Sequence, residues 1–350
     1  MKSIVFHAAN SISVEERPVP RVGERDALVR VHACGICGTD IHILHGEYIV
    51  KFPVIPGHEF SGEIVEIGSE VTNVSVGDRV TIDPNIVDHT CHFCRRGQIH
   101  LCENLSAVGV NFDGGFAEYC VVPAVQAYKV PDSVSLDEAA MTEPLACCIH
   151  GIDRAGIRPG DTMVVLGAGA IGNMLMQLAR NAGAACVIVS EPHENKRELA
   201  KKMGADVAID PSTEDVASVI AELTRVGADV VVESAGRVET AELAPKLARR
   251  GGTILQFGVV SPDKRASLLP YDIFYKELTI VGSFVNPYTH ARAIQALAER
   301  QVDVQPLISH RFTLDEFPEA IRVAQTQDAE KVLVVRGTAN RCAVPDESVI

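Results

Sequence analysis

Apolar and polar positions change period along the chain, and these changes predict where strands and helices lie. Residues 163–166 form a short, wholly apolar run, which is typical of a strand buried on both faces of a parallel sheet. From Ile171 to Ala182 apolar residues recur at helical spacing. The same alternation of strand and helix continues to about residue 284 and predicts a doubly wound α/β sheet. Further strands are expected at 185–190, 207–209, 229–233, 253–259 and 278–284, and further helices at 196–203, 214–226 and 238–248.

The pattern on either side of this region differs. Segments 3–6 and 27–33 are rich in β-forming residues, and other short strands follow before residue 123, with long loops between them. This half is expected to be mostly antiparallel β structure. A helix over 135–151 is expected to bridge the halves. After residue 284 the pattern predicts a helix at 290–299, a strand at 308–314, a helix at 315–326 and a strand at 332–336, followed by a polar tail.

A glycine motif lies between the first strand and helix of the alternating region. Residues 167–172 read G-A-G-A-I-G, so Gly167, Gly169 and Gly172 have G-x-G-x-x-G spacing. In this context the glycines allow a tight turn, a close approach to a pyrophosphate and close packing of helix on sheet. Glu191 ends the next strand, where an acidic group binds the ribose diol of NAD and repels the 2′-phosphate of NADP. The alternative is a glycine-rich turn without a ligand.

Composition and charge exclude several classes of partner and location. A chain of 350 residues is long enough for two domains, and its net charge of -14 argues against a nucleic-acid or anionic membrane partner. No apolar run is long enough to span a bilayer, and residues 1–20 lack a signal-peptide pattern. The clustering of the ten cysteines indicates metal ligation more than disulfides, so we expect a reducing, cytoplasmic location.

Two sets of residues have metal-ligand chemistry. Cys37, His58, Glu59 and Glu143 offer the thiolate, imidazole and carboxylate groups of a catalytic zinc site, although each alone is also explained by packing or capping. The second set is compact, with Asp88, Cys91, Cys94 and Cys102 at D-x-x-C-x-x-C spacing and a distal cysteine. This spacing predicts a closed, structural zinc site. A redox C-x-x-C and a nucleic-acid-binding zinc ribbon are the alternatives, and the strand–helix context and the net charge count against both.

Six motifs carry a family resemblance over residues 1–336: C-G-I-C-G-T-D-I-H, G-H-E-F-S-G, G-D-R-V, C-H-F-C-R-R-G-Q-I-H-L-C, T-E-P-L-A and G-A-G-A-I-G. The sequence resembles the zinc-dependent medium-chain dehydrogenase/reductase superfamily, and within it the polyol (sorbitol-like) and threonine dehydrogenase branches. The resemblance implies a GroES-like, mostly β catalytic domain over 1–150, completed by 285–350, and a Rossmann NAD-binding domain over 151–284. It also implies a homodimer or homotetramer.

The function implied is the reversible oxidation of a polyol or secondary alcohol to the ketone or aldehyde, with zinc and NAD as cofactors. Oxidation of L-threonine is the alternative within the family. An alternative of a different class is a zinc-free relative that only binds a nucleotide, as a sensor. The intact set of ligand residues argues against this last possibility.

Individual roles follow from the resemblance. Cys37, His58 and Glu59 match the catalytic zinc ligands of the polyol branch, and Glu143 either binds zinc or holds the zinc-bound water. Thr39 and His42 match a relay that passes the proton by way of the nicotinamide ribose, with His45 as an alternative base. Asp88 is a departure, because the family has a cysteine there, and the structural site is expected to bind zinc more weakly.

The resemblance also implies contacts to the cofactor beyond the glycine motif. Lys196 follows Glu191 at the spacing of a basic ribose contact. The remaining predicted contacts end strands of the sheet, where the cofactor's far end is expected. They are Phe257, Gly258, Val259, Ser283 and Phe284.

Overall fold

The computed structural model describes residues 1–48 and 50–337, and they divide into two units. The first contains Met1–Pro144, Ala293–Glu299 and the segment that begins at Val304. The second contains Leu145–Arg292 and Arg300–Asp303. The sequence placed the first boundary at 150/151 and the second at 284/285, so the observed boundaries differ by about one or two helical turns. Most of the predicted tail, 338–350, lies outside the described residues.

In chain order the described strands are β1 (Lys2–Ala8), β2 (Ser11–Glu16), β3 (Asp26–Gly35), β4 (Glu59–Ile67), β5 (Arg79–Ile82), β6 (Asn85–Ile86), β7 (Ser106–Ala107), β8 (Tyr119–Pro123), β9 (Ala127–Lys129), β10 (Thr162–Leu166), β11 (Cys186–Ser190), β12 (Val207–Ile209), β13 (Ala228–Glu233), β14 (Ala248–Gln256), β15 (Thr279–Gly282), β16 (Ile308–Phe312) and β17 (Lys331–Val335). The described helices are α1 (Gly38–His45), α2 (Leu136–Ala139), α3 (Thr142–Ala155), α4 (Ala170–Asn181), α5 (Glu194–Lys202), α6 (Val216–Thr224), α7 (Val238–Leu247), α8 (Pro270–Lys276), α9 (His290–Ala298) and α10 (Phe317–Val323).

The first unit is built on a mixed sheet with the order β16-β17-β3-β4-β5-β9, and β8 also pairs with β3. All pairs in this sheet are antiparallel except β16 with β17. The largest side chains of its core are phenylalanines. Phe317 packs edge-on against Phe6 at 6.2 Å and against Phe116 at 4.9 Å between ring centroids. Burying such rings stabilises the unit by about 1.5 to 3 kcal/mol each.

The second unit contains a fully parallel sheet with the order β12-β11-β10-β13-β14-β15. This is the strand order of two mononucleotide-binding halves that meet between β10 and β13. Val164, Ile188, Val231 and Ile254, from four neighbouring strands, form its buried core. The apolar runs predicted these strands because both faces of the sheet are covered.

Several predicted boundaries were wrong. The helix expected over 135–151 is two helices, α2 and α3, and the second continues to Ala155. Strand β14 begins at Ala248 and ends at Gln256, and β15 ends at Gly282. The predicted cofactor contacts therefore lie in the turns after these strands. Helix α8 was not predicted from the sequence. No helix of the described chain is long and apolar enough to cross a bilayer.

Candidate functional site

Three residues from two separate segments of the chain meet at one end of the large sheet of the first unit. Cys37 is the N-cap of α1, two residues after β3 ends. Glu59 is the first residue of β4 and lies opposite Gly35 of β3, and His58 directly precedes it. One donor atom from each of Cys37, His58 and Glu59 lies within 4.8 Å of the other two. The structure thus brings together three of the four residues predicted for the catalytic zinc.

The local fold makes room for this cluster. A side-chain Cβ at Gly35 would overlap the Oε2 atom of Glu59, so only glycine leaves the carboxylate where it is. The chain turns from β3 into α1 through a capping box, in which Thr39 N–H donates to Cys37 Sγ at 3.5 Å and Cys37 N–H donates to Asp40 Oδ2 at 2.8 Å. Such a reciprocal cap fixes the first turn of a helix, and here it also fixes the thiol.

The environment of His58 fits a bound cation. Its Nδ1 atom and Oδ1 of Asp40 are buried, face each other at 3.7 Å, and have no hydrogen-bond partner among the described residues. Burial alone would lower the pKa of His58, but the negative charges of Cys37 and Asp40 outweigh it and hold that pKa well above its ordinary value. A divalent ion held by a thiolate, an imidazole and a carboxylate would relieve this excess negative charge. These are the ligand types of catalytic zinc.

Asp40 was missed by the sequence analysis. It is fully buried, and its carboxylate lies between the backbone of Cys37 and the imidazole of His58. A carboxylate behind a metal-binding histidine fixes the orientation of the ring. The signal was present in the sequence, since Asp40 is the only acidic residue of C-G-T-D-I-H.

Lys331 was also missed, and it is the most unusual residue near the site. It is the first residue of β17 and only 7% exposed. Its Nζ donates to Glu59 Oε2 at 2.6 Å and to the carbonyl of Ile36 at 3.2 Å. Burial would lower the pKa of Lys331, but the charges of Glu59, Cys37 and Glu143 raise it above its ordinary value, so the ammonium stays charged. Glu59 therefore already has a buried cationic partner.

Glu143 lies in the first turn of α3 and is 7% exposed. In the described chain, the group of three ligand atoms within 4.8 Å does not include it. Its negative charge nevertheless helps to keep Lys331 protonated. Glu143 is therefore one of the charged groups that act on Lys331, and it lies outside the group of three.

The residues predicted to carry the proton lie on α1. Thr39 Oγ1 is 3.7 Å from Cys37 Sγ. His42 is half-buried, and its Nδ1 lies 2.6 Å from Glu47 Oε2, which leaves the other ring nitrogen for proton exchange. His45 is exposed at the end of the helix. The Glu47 contact was not predicted, although an acid five residues after a histidine across a Gly46 turn is a local signal.

Two aromatic residues that could line a substrate pocket differ in their surroundings. Phe116 is fully buried and packs against Phe317, so it belongs to the core. Tyr48 is 45% exposed. Only Tyr48 is therefore accessible to a ligand.

The second predicted metal site is also assembled. Donor atoms of Asp88, Cys91, Cys94 and Cys102 lie within 4.8 Å of one another. Asp88 Oδ1 accepts the N–H of Cys91 at 2.9 Å. Backbone N–H donors hold the pKa of Asp88 well below its usual value, so the carboxylate is charged and available as a ligand. Burial and hydrogen bonds to its two cysteine neighbours raise the pKa of Cys94 to about 12, a cost that a metal ion would remove.

The glycine motif of the second unit has the geometry that its spacing predicts. Gly167 follows β10 with φ of 103°, and Gly169 is the N-cap of α4. A Cβ at Gly172 would overlap the carbonyl oxygen of Gly167, so the helix can approach the turn only without a side chain there. Asn173, which was not predicted, donates from Nδ2 to the carbonyls of Ala168 and Gly169 at 2.6 and 3.2 Å and fixes the turn.

Glu191 lies beside this turn. It follows β11 and is 6% exposed. Its Oε2 accepts the N–H of Ala168 at 2.9 Å, and its Oε1 accepts the N–H of His193 at 3.1 Å. Arg197 of α5 donates to the carbonyl of Glu191 at 2.9 Å and forms an ion pair with Asp210 at 3.1 Å. The carboxylate of Glu191 is therefore held against the glycine turn, and Arg197 is already paired with Asp210.

The other predicted cofactor residues lie after strands of the same sheet. Phe257 and Gly258 follow β14, and both donate their backbone N–H to the carbonyl of Glu233, at 3.0 and 2.8 Å. Val259 is exposed. The predicted residues after β15 are Ser283, whose N–H donates to Gln256 O at 3.2 Å, and Phe284, which is exposed. Lys196 lies on α5 and is partly exposed.

Comparison with known proteins agrees with both units. A family model described as "Alcohol dehydrogenase GroES-like domain" matches residues 23–132, and one described as "Zinc-binding dehydrogenase" matches residues 170–299. D-arabinitol dehydrogenase 1 of Uromyces fabae is 36% identical over 338 residues, 95% of this chain and 97% of that protein. L-threonine 3-dehydrogenase of Shewanella woodyi is 34% identical over 329 residues, 91% of this chain and 94% of that protein.

A solved structure is similar over almost the whole chain. The zinc-binding dehydrogenase from Sinorhizobium meliloti, bound to NADP, is 44% identical with a TM-score of 0.93, covering 96% of this chain and 99% of that one. Both family models describe dehydrogenases, both relatives are dehydrogenases, and the similarity covers both units. The chain belongs to the zinc-binding medium-chain dehydrogenases, as an oxidoreductase of the alcohol and polyol dehydrogenase type.

Proposed function

We propose that this chain reversibly oxidises a polyol or secondary alcohol to the corresponding ketone or aldehyde, with hydride transfer to NAD. The observation that carries the proposal is the convergence of Cys37, His58 and Glu59 to within 4.8 Å. These three residues would hold zinc. A zinc ion supplies positive charge that makes a bound hydroxyl more acidic, and the dinucleotide accepts the hydride.

The chain's own residues prepare this site in two ways. Asp40 faces Nδ1 of His58 and would hold the orientation of the ring. Lys331 holds Glu59 by a bond of 2.6 Å and offsets one of the negative charges of the site. Glu59 would then have two possible cationic partners, Lys331 and a bound metal ion. Glu143 would hold a water or complete the ligand set.

Thr39 and His42 would carry the proton that the alcohol loses. The Thr39 hydroxyl is close to Cys37, and His42 is bound through Nδ1 to Glu47 at 2.6 Å. Glu47 would hold the ring of His42 in one orientation while its other nitrogen exchanges the proton. His45 is exposed and is the second candidate for this role.

The preference for NAD rests on Glu191. Its carboxylate is fixed beside the glycine turn, where it can accept hydrogen bonds from a ribose diol and repel a 2′-phosphate. Arg197 is tied to Asp210 and is therefore not available to bind that phosphate. The Sinorhizobium relative binds NADP, so the two cofactors must be compared directly. The other dinucleotide contacts proposed are Gly167, Ala168, Gly169, Ala170, Ile171, Gly172, Lys196, Phe257, Gly258, Val259, Ser283 and Phe284.

The set of Asp88, Cys91, Cys94 and Cys102 would hold a structural zinc. The charged carboxylate of Asp88 would supply the fourth ligand, where the family has a thiolate. Because carboxylate is a harder ligand than thiolate, we expect weaker binding at this site. The nine described cysteines are free thiols, which is consistent with a reducing, cytoplasmic location.

A second copy of the chain is the proposed partner of an exposed apolar face on the second unit. β15 is an edge strand without a charged residue, and Tyr271, Phe274 and Tyr275 on α8 are 54% to 80% exposed. Exposed apolar edges associate unless they are covered, and a two-fold axis would pair two copies of β15. Phe274→Glu should reduce the molar mass measured by light scattering to half that of the parent if the parent is a dimer, and to half or less if it is a tetramer. An unchanged mass would place the interface elsewhere.

A substrate screen tests the proposed function. The purified protein, loaded with zinc, is offered D-arabinitol, sorbitol, isopropanol and L-threonine, each with NAD and with NADP, and reduced dinucleotide is followed by absorbance. We expect turnover of the polyols with NAD. Activity on L-threonine alone would support the second candidate, which the Shewanella relative suggests. Absence of turnover with every pair, together with dinucleotide binding, would favour a nucleotide-binding protein.

A further inference from the structure

Glu233 ends the central strand β13 and is completely buried, yet neither of the predicted sites uses it. Its Oε1 accepts three hydrogen bonds, from the N–H groups of Ala235 and Gly236 at 2.9 Å each and from the hydroxyl of Thr240 at 2.8 Å. Its Oε2 accepts from Nε2 of Gln256 at 2.7 Å. A buried carboxylate is costly unless donors surround it, and this one is fully surrounded.

Apart from Thr240 on α7, the donors to the Glu233 carboxylate come from two places in the chain. Ala235 and Gly236 follow β13, whereas Gln256 ends β14. The main-chain carbonyl of Glu233 also accepts the N–H groups of Phe257 and Gly258. One residue therefore fixes the turn after β13 through Oε1 and the turn after β14 through Oε2 and its carbonyl.

These two turns are also in direct contact. A Cβ at Gly258 would lie 2.6 Å from Oε2 of Glu233 and would overlap the backbone N of Gly236. A Cβ at Gly236, where φ is 66°, would lie 2.6 Å from the carbonyl oxygen of Val259. The two turns can approach only because both residues are glycine, and they approach around the carboxylate.

Ser234 connects this pair of turns to the glycine motif. Its N–H and its hydroxyl both donate to the carbonyl of Leu166 at 3.0 Å, and the hydroxyl also reaches the carbonyl of Gly167 at 3.1 Å. The ends of β10, β13 and β14 are thus linked by hydrogen bonds. The strand order places a dinucleotide across these ends, with its adenine half on the β10–β11 side and its nicotinamide half on the β13–β14 side.

We propose that Glu233 is a positioning residue for the nicotinamide half of the dinucleotide. It touches no ligand itself. It holds the turns at 234–237 and 257–259 in the one arrangement that receives the nicotinamide riboside, while the glycine motif and Glu191 bind the adenine half independently. This inference rests on the proposed dinucleotide site and adds a division of labour within it.

Glu233→Gln tests the inference, with calorimetric titration of NADH and of ADP-ribose, which lacks the nicotinamide. The substitution keeps the shape but places an N–H₂ group where only acceptors fit, against Gln256 Nε2 or the backbone N–H groups. NADH should bind about tenfold more weakly, as expected for the loss of a charge-assisted hydrogen bond. ADP-ribose should bind within about twofold of the parent. The exposed Glu222→Gln is the matched control, in which neither affinity should change.

A swapped pair supplies a rescue. In Glu233→Gln/Gln256→Glu, the new amide at 233 can donate to the new carboxylate at 256 and still offer its oxygen to Ala235 and Gly236. Part of the lost NADH affinity should return, because this pair is restored while the bond from Gln256 Nε2 to the carbonyl of Gly258 is not. Gln256→Met removes only the donor to Oε2 of Glu233 and to the carbonyl of Gly258. It should weaken NADH binding about fivefold. This variant tests the inference even if Glu233→Gln does not fold.

The outcomes separate the two proposals. Unchanged NADH affinity in Glu233→Gln, equal losses for NADH and ADP-ribose, or no recovery in the swapped pair would overturn the role of Glu233. Failure of the parent protein to bind either NADH or ADP-ribose would instead overturn the proposed dinucleotide site itself.

Discussion

Lys331→Met probes the buried ion pair beside the candidate zinc ligands. Lys331 is 7% exposed and Glu59 is 2% exposed, and Nζ lies 2.6 Å from Oε2. Removing one partner of such a pair leaves an uncompensated buried charge, which costs about 3 to 5 kcal/mol. In metal-free protein we therefore expect the unfolding free energy of the first unit to fall by about this amount.

Zinc should reduce that cost. With the lysine gone, Glu59 retains only one possible cationic partner, the metal, and binding to the folded state adds stability by mass action. Native-state hydrogen exchange of amides in β3, β4 and β17 measures the effect where it arises, because these strands pair with one another and carry both residues. The same measurement is made after chelation and with zinc in excess.

Two further variants serve as controls for Lys331→Met. Lys2→Met removes a lysine from an exposed pair with Asp315, whose side chains are 33% and 66% exposed, and should cost much less because water screens such a pair. Lys331→Met combined with Glu59→Gln removes both charges and should recover most of the loss in metal-free protein. The reasoning is refuted if Lys331→Met costs no more than Lys2→Met, or if zinc leaves its cost unchanged.

Four other predictions concern single residues. Cys37→Ser should abolish turnover and leave the dissociation constant of NADH within about twofold, measured by titration; retained turnover would contradict the proposed ligand role. Glu191→Ala should lower the NAD/NADP ratio of kcat/KM by about tenfold, and an unchanged ratio would remove it as the discriminator. Asp88→Cys should slow zinc release to a chromogenic chelator, because thiolate is the softer ligand, and equal release rates would argue against Asp88 as a ligand. Burial lowers the pKa of His290 to about 3, so between about pH 6.5 and pH 3 the unfolded chain binds a proton at this residue that the folded protein excludes. Stability should therefore fall by up to about 1.4 kcal/mol per pH unit from this group, a slope that denaturation of His290→Gln at several pH values should lack.

The sequence predicted the alternating region well because buried parallel strands are continuous apolar runs. Residues 207–209 match β12 exactly in extent, and the glycine motif lies where its spacing required. No helix was predicted over 38–45, where the structure has α1. Cysteine is an uncommon N-cap, so the reciprocal cap with Asp40 gave no familiar helix signal.

What the sequence could not give is the set of partners that hold the ligands in place. Lys331 follows Glu59 by 272 residues, and only the pairing of β17 with β3, and of β3 with β4, brings them together. Read alone, a lysine before V-L-V-V is an ordinary solvated strand end. Lys331 is buried because of how the strands pair, and the local pattern of apolar and polar residues does not predict this burial.

Three of the residues that the sequence missed share one chemical feature, a buried charge. Asp40 and Glu233 are buried carboxylates and Lys331 is a buried ammonium, and the contacts described for each are to protein groups. A charge is costly to bury, so each is kept only where its partners are fixed, and it in turn fixes them. Ligand residues can be recognised from chemistry and spacing, whereas the residues that aim them become visible only when burial and hydrogen bonds are known. It follows that neutral, isosteric changes at these three positions should disturb ligand geometry more than their distance from any ligand suggests.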